Sequence, residues 1–456
     1  MKLYKLFILV LCFCSTAQAQ NPDEKTIQSI SEYIMMQGTA YDNLHYLCKN
    51  IGPRLSGSVQ ADKAIAATVN MLKQAGADTV YLQPCMVTHW ERGPRETAYA
   101  YVNAKQKRQL NICALGNTVA TPAAGIKARV VEVKSMQALH DLGIAGIQNK
   151  IVFINIPMDP RYIETFLAYS ESGIGRRAGP AQAAKYGAKA VIVRSLASNI
   201  DTFPHTGVTQ YNDSFPKIAA VAVSTADAEW LSTQLTKYPA TEIYIKTNCK
   251  IFADKASFNV IGEISGTEMP EQIISVGGHL DSWDLAEGAQ DDGAGCVQAI
   301  EVIHCFKKLN LQPKRTIRAV LFMNEENGSK GGIAYAQHAE ITKEQLIFAL
   351  ESDAGGFTPR GFSLQMNESQ MAKVKSWSPL FYKYGVYHFV SGHAGSDVGH
   401  LHKLGTALAG LMPDSQRYFD LHHAANDVFE AVSKRELLLG AVNMTAMLWL
   451  VSEYGL

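Results

Sequence analysis

The chain of 456 residues is too long for one ordinary domain and fits two or three. Its hydrophobic fraction of 47% and charged fraction of 18% are those of a soluble globular protein. The 42 Lys and Arg residues equal the 42 Asp and Glu residues, so no basic surplus favours nucleic acid as a partner.

The first twenty residues have the pattern of a secretion signal. Lys2 and Lys5 form a short positive region, and the apolar run Leu6–Phe13 is too short to span a bilayer as a helix. Ala17-Gln18-Ala19 has the small-x-small pattern of a signal-peptidase site. We therefore predict that residues 1–19 are a cleaved signal peptide and that the mature protein is secreted or periplasmic. A buried helix or an anchor is the alternative.

Six cysteines remain after this segment, because Cys12 and Cys14 lie within it. An oxidising compartment permits disulfides, but the six are scattered and show no CxxC pair. Pairing cannot be read from sequence, and buried free thiols fit the pattern at least as well. The six are Cys48, Cys85, Cys113, Cys249, Cys296 and Cys305.

Helix and strand patterns alternate through the N-terminal half of the chain. Residues 59–76 predict a helix, because Ser58 is a good N-cap and Gly76 a good helix stop. A long loop is predicted at 201–217, where turn-forming residues are concentrated. Strands are predicted at 127–135, 151–156, 190–194, 217–223 and 242–246.

The strongest alternation begins near residue 258. Short apolar strands are predicted at 273–277, 316–323, 346–350 and 404–411, and helices at 294–309 and 434–453. Leu437–Val451 comes nearest to a membrane span, but it contains Asn443 and Thr445 and is predicted to be a buried helix. Strands that alternate with helices predict an α/β fold with a mixed, largely parallel central sheet flanked by helices.

Several of these strands end in a His or a carboxylate. His279 follows the strand at 273–277, Glu325 and Glu326 follow the next strand, and Asp353 follows the third. In open α/β sheets, sites gather outside the carboxyl ends of the strands. We therefore expect these side chains, which are distant in sequence, to meet at one edge of the sheet.

The segment GGHLDSWDLAEGAQDDGAG (277–295) is the richest in candidate ligands. A ligating imidazole usually donates its other N–H to a carboxylate, and Asp281 or Asp292 could serve His279 in this way. Asp291 lies in a glycine-flanked turn, and its two oxygens can bridge two metals. Capping of the following helix by Asp291 or Asp292 is the alternative.

The adjacent acids Glu325 and Glu326 are hard to bury without a cation. Neighbouring side chains of an extended segment point in opposite directions, so one can bind metal while the other faces the substrate water. Solvated surface acids are the alternative, which the apolar run before them weakens. His423, in HHAAND (422–427), lies on a predicted loop, where a lone His is more often structural.

Taken together, five candidates offer nitrogen and oxygen ligands and no thiolate, which suits catalytic zinc rather than a closed structural site. With one bridging carboxylate they make two three-ligand sites, each with room for a shared water. Two metals roughly 3.5 Å apart would generate a hydroxide nucleophile and polarise a carbonyl together. The five are His279, Asp291, Glu326, Asp353 and His423.

These stretches resemble the M28 family of zinc-dependent exopeptidases, which includes aminopeptidases and glutamate carboxypeptidases. The likeness spans nearly the whole mature chain, and its specificity comes from the combination of stretches. They are NIGPRLSGS (50–58), HWERG (89–93), PHTGV (204–208), GGHLDSWD (277–284), GAQDDGAG (288–295), PKRTIRAVLFMNEENG (313–328), ESDAG (351–355) and HHAAND (422–427).

The resemblance implies two zinc ions per chain and a role for each candidate. One zinc would be held by His279 and Asp353, the other by Glu326 and His423, with Asp291 bridging. Glu325 would be the general base that takes a proton from the attacking water and later gives it to the leaving amine. The family also implies a cis peptide between Asp291 and Asp292.

Further residues receive supporting roles from the same resemblance. His422, directly before the last ligand, would stabilise the tetrahedral oxyanion, and a packing role is its alternative. Ser396 and Asp397 fall where the family keeps a loop near the site, so they would support it from outside. The family's acid-Thr pair after the last His appears as Asp427-Val428, which departs from the pattern.

The middle of the chain resembles a protease-associated domain through KIVFINIP and AAKYGAKAVIVRS. We therefore expect a catalytic domain at 20–117 and 253–456 and a protease-associated-like insert at 118–252. In the family this insert caps the cleft and limits entry, which favours dipeptides or short peptides with free termini as substrates. The resemblance also suggests a homodimer.

Two other functions remain open on this fold. A glutaminyl cyclase-like enzyme would use a single zinc, and the complete five-ligand set argues against it. A non-catalytic, receptor-like member would have lost ligands, whereas all five candidates and Glu325 are present. Hydrolysis of small peptides is therefore the function that the sequence favours.

Overall fold

The computed structural model of the protein describes residues 22–103 and 106–456. The predicted signal peptide at 1–19 lies outside these residues. The strands are β1 (Thr79–Val87), β2 (Trp90–Glu91), β3 (Thr97–Asn103), β4 (Gln106–Leu110), β5 (Ile112–Ala114), β6 (Ile126–Val133), β7 (Ile151–Ile154), β8 (Ala190–Arg194), β9 (Ala219–Val223), β10 (Glu242–Lys246), β11 (Lys250–Ile251), β12 (Lys255–Ile264), β13 (Met269–His279), β14 (Arg315–Phe322), β15 (Gln345–Glu351), β16 (Pro359–Gln365), β17 (His388–Ser391) and β18 (Ala407–Pro413).

Helices lie in some of the connections between these strands. The α-helices are α1 (Pro22–Gln37), α2 (Ala40–Tyr46), α3 (Val59–Ala75), α4 (Met136–Ile147), α5 (Thr165–Ser172), α6 (Ile174–Arg177), α7 (Gly179–Lys185), α8 (Thr225–Lys237), α9 (Ala294–Lys308), α10 (Glu325–Gly328), α11 (Lys330–Thr342), α12 (Glu368–Ser376) and α13 (Lys434–Tyr454). Single π-type turns lie at Leu47–Ile51 and Ala289–Gly293, and 3₁₀ turns at Ser378–Leu380, Tyr382–Tyr384, Val398–Leu404, Tyr418–Asp420 and Phe429–Ala431.

The central sheet has the strand order β1-β12-β14-β13-β15-β18-β16-β17. In the part of the chain that the structure describes, four neighbouring strand pairs of this sheet are parallel and three are antiparallel. Successive residues of β14 pack on opposite faces of the sheet. Leu321 joins the core under α9 and α13, and Val320 joins the core under α11. Burial on both faces explains the unbroken apolar strands, and the predicted mixed α/β fold is confirmed.

Helix α13 closes the central core and was predicted over 434–453. Within the described residues it is the one helix long and apolar enough to cross a membrane, but 78% of its apolar stretch is buried inside the protein. Leu437 and Met444 are fully buried, and Asn443 donates its amide N–H to the carbonyl of Leu439. Its apolar composition therefore reflects a place in the core of the protein.

A second sheet has the order β4-β3-β10-β6-β7-β8-β9-β5, in which β6 to β9 are parallel. Its strands lie between Thr97 and Lys246, so the sheet begins on the N-terminal side of the range 118–252, which we call the insert. The short strands β2 and β11 pair with each other where the chain enters and leaves this part of the fold. The sheet therefore forms a second layered unit beside the central one.

Local signals in the sequence fix both ends of helix α3. The Ser58 hydroxyl accepts a hydrogen bond of 3.1 Å from the Ala61 N–H at the start of α3. Gly76 ends the helix with φ of 92°, as predicted. All six predicted mature cysteines are buried free thiols.

Arg54 fixes the loop that follows β13. Its side chain is fully buried, and its guanidinium donates to the carbonyls of Leu280, Glu287 and Gly288 at 2.5, 2.6 and 2.9 Å. The Arg54 N–H also donates to the Ser282 hydroxyl. One side chain thus joins both ends of the loop.

Replacing Arg54 with Leu is expected to lower the free energy of unfolding by about 3 kcal/mol or more, because three carbonyls, two of them in buried contacts, each lose a donor. Urea denaturation followed by circular dichroism measures the change. Arg95→Leu, at an exposed arginine, is the matched control and should change stability by less than about 0.5 kcal/mol. Equal midpoints for both variants would contradict the role of Arg54.

Candidate metal centre and active site

The carboxyl ends of β13, β14 and β15 meet at one edge of the central sheet, as the sequence predicts. His279, the last residue of β13, pairs with Phe322 near the end of β14. Gly277 pairs with Glu351, the last residue of β15. This register places His279 between the chain segments that carry Glu326 and Asp353.

Asp291 lies between two imidazoles. Its Oδ1 atom is 3.3 Å from His279 Nε2, and its Oδ2 atom is 3.2 Å from His423 Nε2. The peptide bond between Asp291 and Asp292 is cis, as the resemblance implies. The two oxygens of Asp291 therefore face different histidines, which is the arrangement that a bridging carboxylate needs.

The remaining two candidates complete the groups on either side of Asp291. Glu326 Oε2 lies 3.2 Å from His423 Nε2, and Glu326 Oε1 accepts the Trp283 N–H at 3.1 Å. Asp353 Oδ1 lies 3.3 Å from His279 Nε2. The structure thus brings all five predicted ligands together.

The electrostatics of the site are set by burial and by charges that lie close together. Burial and the charge of Asp291 raise the pKa of Glu326 to about 8, and burial raises the pKa of Asp353 to about 6. For His279 and His423, burial lowers the pKa, but facing carboxylates outweigh it and hold both pKa values well above the ordinary one. Burial raises the pKa of an acid in this way, and a bound cation would lower it.

The residues fit metal ions. Within the described residues, Asp291 with His422 and His423 forms one group close enough to hold a metal ion, and His279 with Asp292 and Asp353 forms another. Asp291 Oδ2 is buried and accepts no well-aligned hydrogen bond from the part of the chain that the structure describes. A buried acceptor of this kind, among imidazole nitrogens and carboxylate oxygens, suits zinc.

Glu325 lies beside these groups without joining them. It is half-buried, and its backbone N–H donates to Asp281 Oδ1 at 3.1 Å. Burial and then the Glu325 charge raise the pKa of Asp353, whereas His279 lowers it. Glu325 is therefore a carboxylate near the centre whose own oxygens remain available to a substrate or a water.

Asp281 and Asp292 support His279 through different atoms from those predicted. The carbonyl of Asp281, not its carboxylate, lies 2.9 Å from His279 Nδ1, whereas the carboxylate accepts the N–H groups of Asn324 and Glu325. Asp292 accepts the backbone N–H of His279 at 3.0 Å and that of Gly295 at 2.9 Å. Asp292 thus also accepts an N–H group from the first turn of α9, whose N-cap residue is Gly293.

His422 lies in an aromatic cage. Its ring stacks on His423 with centroids 3.5 Å apart, and it contacts Tyr169, Tyr418 and Phe419. Its Nε2 atom is 3.6 Å from Asp291 Oδ2. Burial and the neighbouring His423 charge hold the pKa of His422 well below its ordinary value, so the ring is neutral.

Ser396 and Asp397 contact the centre indirectly, through Glu351. Their backbone N–H groups donate to the Glu351 carboxylate, at 3.0 Å from Ser396 and 3.1 Å from Asp397. Glu351 precedes Asp353 by two residues, so this loop supports the end of β15. The Asp397 carboxylate itself is buried and has no hydrogen-bond partner among the described residues.

Asp427 is a supporting residue to which the sequence assigned no contact. Its carboxylate accepts the N–H groups of Gln290 at 2.8 Å and of Asp291 at 3.2 Å. Burial raises its pKa to about 7. Asp427 itself, five residues after His422, was the available signal. Because Asp427-Val428 departs from the family's acid-Thr pair, the supporting contact was not assigned.

Changing Asp427 to Ala is expected to lower metal affinity by about 10–100-fold, because two buried N–H groups that hold the Asp291 turn lose their acceptor. Competition with a coloured chelator measures the affinity. Asp414→Ala, at an ion pair on the surface with Arg360, is the matched control and should bind metal as the wild type does. Unchanged affinity in the Asp427 variant would refute the contact's importance.

Carboxylates gathered around paired histidines at the edge of such a sheet are the arrangement of a metal-dependent hydrolase. Residues 259–447 match Peptidase family M28. The chain is 34% identical to human carboxypeptidase Q over 430 residues, which is 94% of this chain and 88% of that protein. The chain therefore belongs to peptidase family M28 and is a metallopeptidase that acts on peptides.

Solved structures agree with this assignment. A peptidase M28 precursor from Shewanella amazonensis is 30% identical and has a TM-score of 0.89, with 94% of this chain and 96% of that chain covered. A zinc aminopeptidase from Bacillus subtilis has a TM-score of 0.65 at 21% identity, with 90% and 94% covered. At that identity the second likeness shows the fold alone.

Proposed function

We propose that the protein is a secreted exopeptidase that hydrolyses dipeptides or short peptides with two zinc ions. The position of Asp291 carries this proposal, because its two oxygens lie 3.3 and 3.2 Å from two different imidazoles. The similarity to carboxypeptidase Q supports cleavage at the end of a peptide.

In this proposal the five predicted ligands divide into two sites that share Asp291. His279 and Asp353 would hold one zinc, and Glu326 and His423 would hold the other. When bound, the ions activate water and polarise the substrate carbonyl. The hydrogen bonds from Asp281 and Asp292 hold His279 in place, and those from Asp427 hold Asp291.

The chain's own groups move the protons. Glu325 Oε atoms accept a proton from the attacking water and return it to the nitrogen of the leaving amine. His422, neutral and caged by aromatic rings, offers one N–H to the substrate oxygen as negative charge develops there. Its rigid stacking on His423 keeps that donor in a fixed direction.

We propose the domain division predicted from the sequence, with the insert as a cap over the catalytic domain at 20–117 and 253–456. Tyr169 of the insert contacts the His422 ring, and Thr206 bonds to the backbone of His423. In this proposal the cap admits only the end of a peptide to the centre. A cleaved signal at 1–19 and a homodimer complete the proposal.

The test is a panel of dipeptides with free or blocked ends. Free dipeptides should be cleaved. Blocking the end that the enzyme reads, by N-acetylation or by C-terminal amidation, should lower kcat/KM at least tenfold. Equal cleavage of an internal bond in a long, doubly blocked peptide would refute the exopeptidase. Cyclisation of N-terminal glutamine in place of hydrolysis would replace the proposal with a cyclase.

A further inference from the structure

The insert bonds directly to the two consecutive histidines of the candidate metal centre. The Thr206 N–H donates to the His423 carbonyl at 2.9 Å, and the Thr206 carbonyl lies 3.3 Å from His423 Nδ1. His205 Nδ1 lies 2.6 Å from the His422 carbonyl. His205 and Thr206 of the insert therefore hold the backbone of His422 and His423 and the ring of His423.

A buried arginine of the insert completes this contact. Arg176 donates to the Thr206 carbonyl at 3.2 Å and to the Tyr169 hydroxyl at 2.6 Å, and its Nη1 atom is 3.4 Å from His423 Nδ1. Gly207 has φ of 125°, and a Cβ there would lie 2.4 Å from the guanidinium. Only glycine at 207 lets the arginine approach this closely.

His423 adopts a backbone conformation that depends on such contacts. Its φ of 64° is uncommon for a residue with a Cβ atom and persists only where neighbours hold it. The bond from Thr206 to the His423 carbonyl fixes this conformation from the insert side. In the same conformation His423 Nε2 reaches both Asp291 and Glu326 at 3.2 Å.

The same contact bears on the tautomer of the ring. His423 Nδ1 faces the carbonyl of Thr206 at 3.3 Å, and this carbonyl accepts the Nδ1 proton in the tautomer that presents the Nε2 lone pair to the centre; Arg176 Nη1 lies 3.4 Å from the same Nδ1 atom. Partners of this kind normally tune a ligand's metal affinity. For His423, that partner belongs to the insert and not to the catalytic domain.

We infer that the insert sets the zinc affinity of the His423 side of the centre, with His205 and Thr206 as positioning residues. Docking of the segment 204–208 and zinc binding then stabilise each other to the same extent, since coupling between two sites is reciprocal. The inference rests on the proposed function, because it takes zinc to bind at His423.

The first test needs no variant. Hydrogen exchange of the full-length mature protein is compared with and without two equivalents of zinc. The Thr206 amide should exchange at least tenfold more slowly with zinc, while the amides of β4, at the far edge of the second sheet, should not change. Equal exchange of Thr206 in both states, with zinc bound, would overturn the inference.

The second test measures zinc affinity by chelator competition in His205→Leu, His205→Asn and Thr165→Val. His205→Leu removes the donor to the His422 carbonyl and should weaken one of two zinc sites by about 10–100-fold. Asn places an N–H near the position of Nδ1 and should restore affinity to within about threefold. Thr165→Val breaks a different contact between the insert and the catalytic domain, to Ser415, and is the matched control.

The outcomes separate the two proposals. A wild-type protein that binds no zinc defeats the proposed function. A wild type with two zinc ions and active on dipeptides, together with unchanged affinity in His205→Leu, defeats only the coupling. Equal weakening in His205→Leu and Thr165→Val would also defeat it, because the effect would then follow from general loosening of the insert.

Discussion

Changing Glu325 to Gln is expected to lower kcat by about 10²–10⁴-fold, because the amide cannot accept the proton of the attacking water. The shape of the side chain is nearly unchanged, and its backbone N–H still donates to Asp281. Zinc content and the free energy of unfolding should therefore stay those of the wild type. Steady-state kinetics on a free dipeptide measure kcat, and elemental analysis measures the zinc content. Urea denaturation measures the free energy of unfolding.

Glu340→Gln is the matched control for this variant. Glu340 is an exposed glutamate that pairs with Lys403 at 2.7 Å on the surface. It should keep full activity. A Glu325→Gln protein that retains more than about a tenth of wild-type kcat would show that another group takes the proton.

Removal of metal with a chelator is expected to abolish hydrolysis and to destabilise the fold. The centre then holds Glu326 and Asp353 as buried acids with pKa values of about 8 and 6, since no cation remains to balance them. A ligand at about 1,000 times its Kd contributes about 4 kcal/mol to stability, so a loss of this size is expected when zinc at that excess is withdrawn. Urea denaturation with and without chelator measures it.

Reconstitution makes the prediction specific. Two equivalents of zinc per chain should restore activity, and calcium, which prefers oxygen-only sites with more ligands, should not. Full activity at one equivalent would favour the single-zinc alternative. Activity that survives complete removal of metal would overturn the assignment of the five ligands.

The edge of the central sheet could be predicted because its information is local. Each of β13, β14 and β15 is a short apolar run followed at once by His279, Glu326 or Asp353, and parallel strands bring their ends together. Helices α3 and α13 were equally visible, since both have clear periodicity or caps. For most of these ends, the predicted bound lies within two residues of the observed one.

Other features depend on contacts between distant segments. The strand predicted at 404–411 begins only at Ala407, because residues 398–404 form 3₁₀ turns that end at Gly405 with φ of 82°. The second sheet starts at Thr97 because β3 pairs with β10, more than a hundred residues later. No local pattern carries such a pairing.

The supporting contacts of the site were hidden for the same reason. The carbonyl of Asp281 replaced its carboxylate as the partner of His279, and a choice between two oxygens of one residue is made by backbone geometry. The PHTGV stretch was visible as part of the resemblance, but its bonds to His422 and His423 cross more than two hundred residues.

The six buried thiols have a consequence for how the enzyme is made. Burial raises the pKa of Cys48, Cys85 and Cys249 to about 12, so thiolate, the form that reacts with oxidants, is scarce at neutral pH. The described chain is held together without a covalent crosslink. Its folding should therefore proceed without an oxidant or a disulfide isomerase, and the finished enzyme should work equally well in oxidising and reducing surroundings.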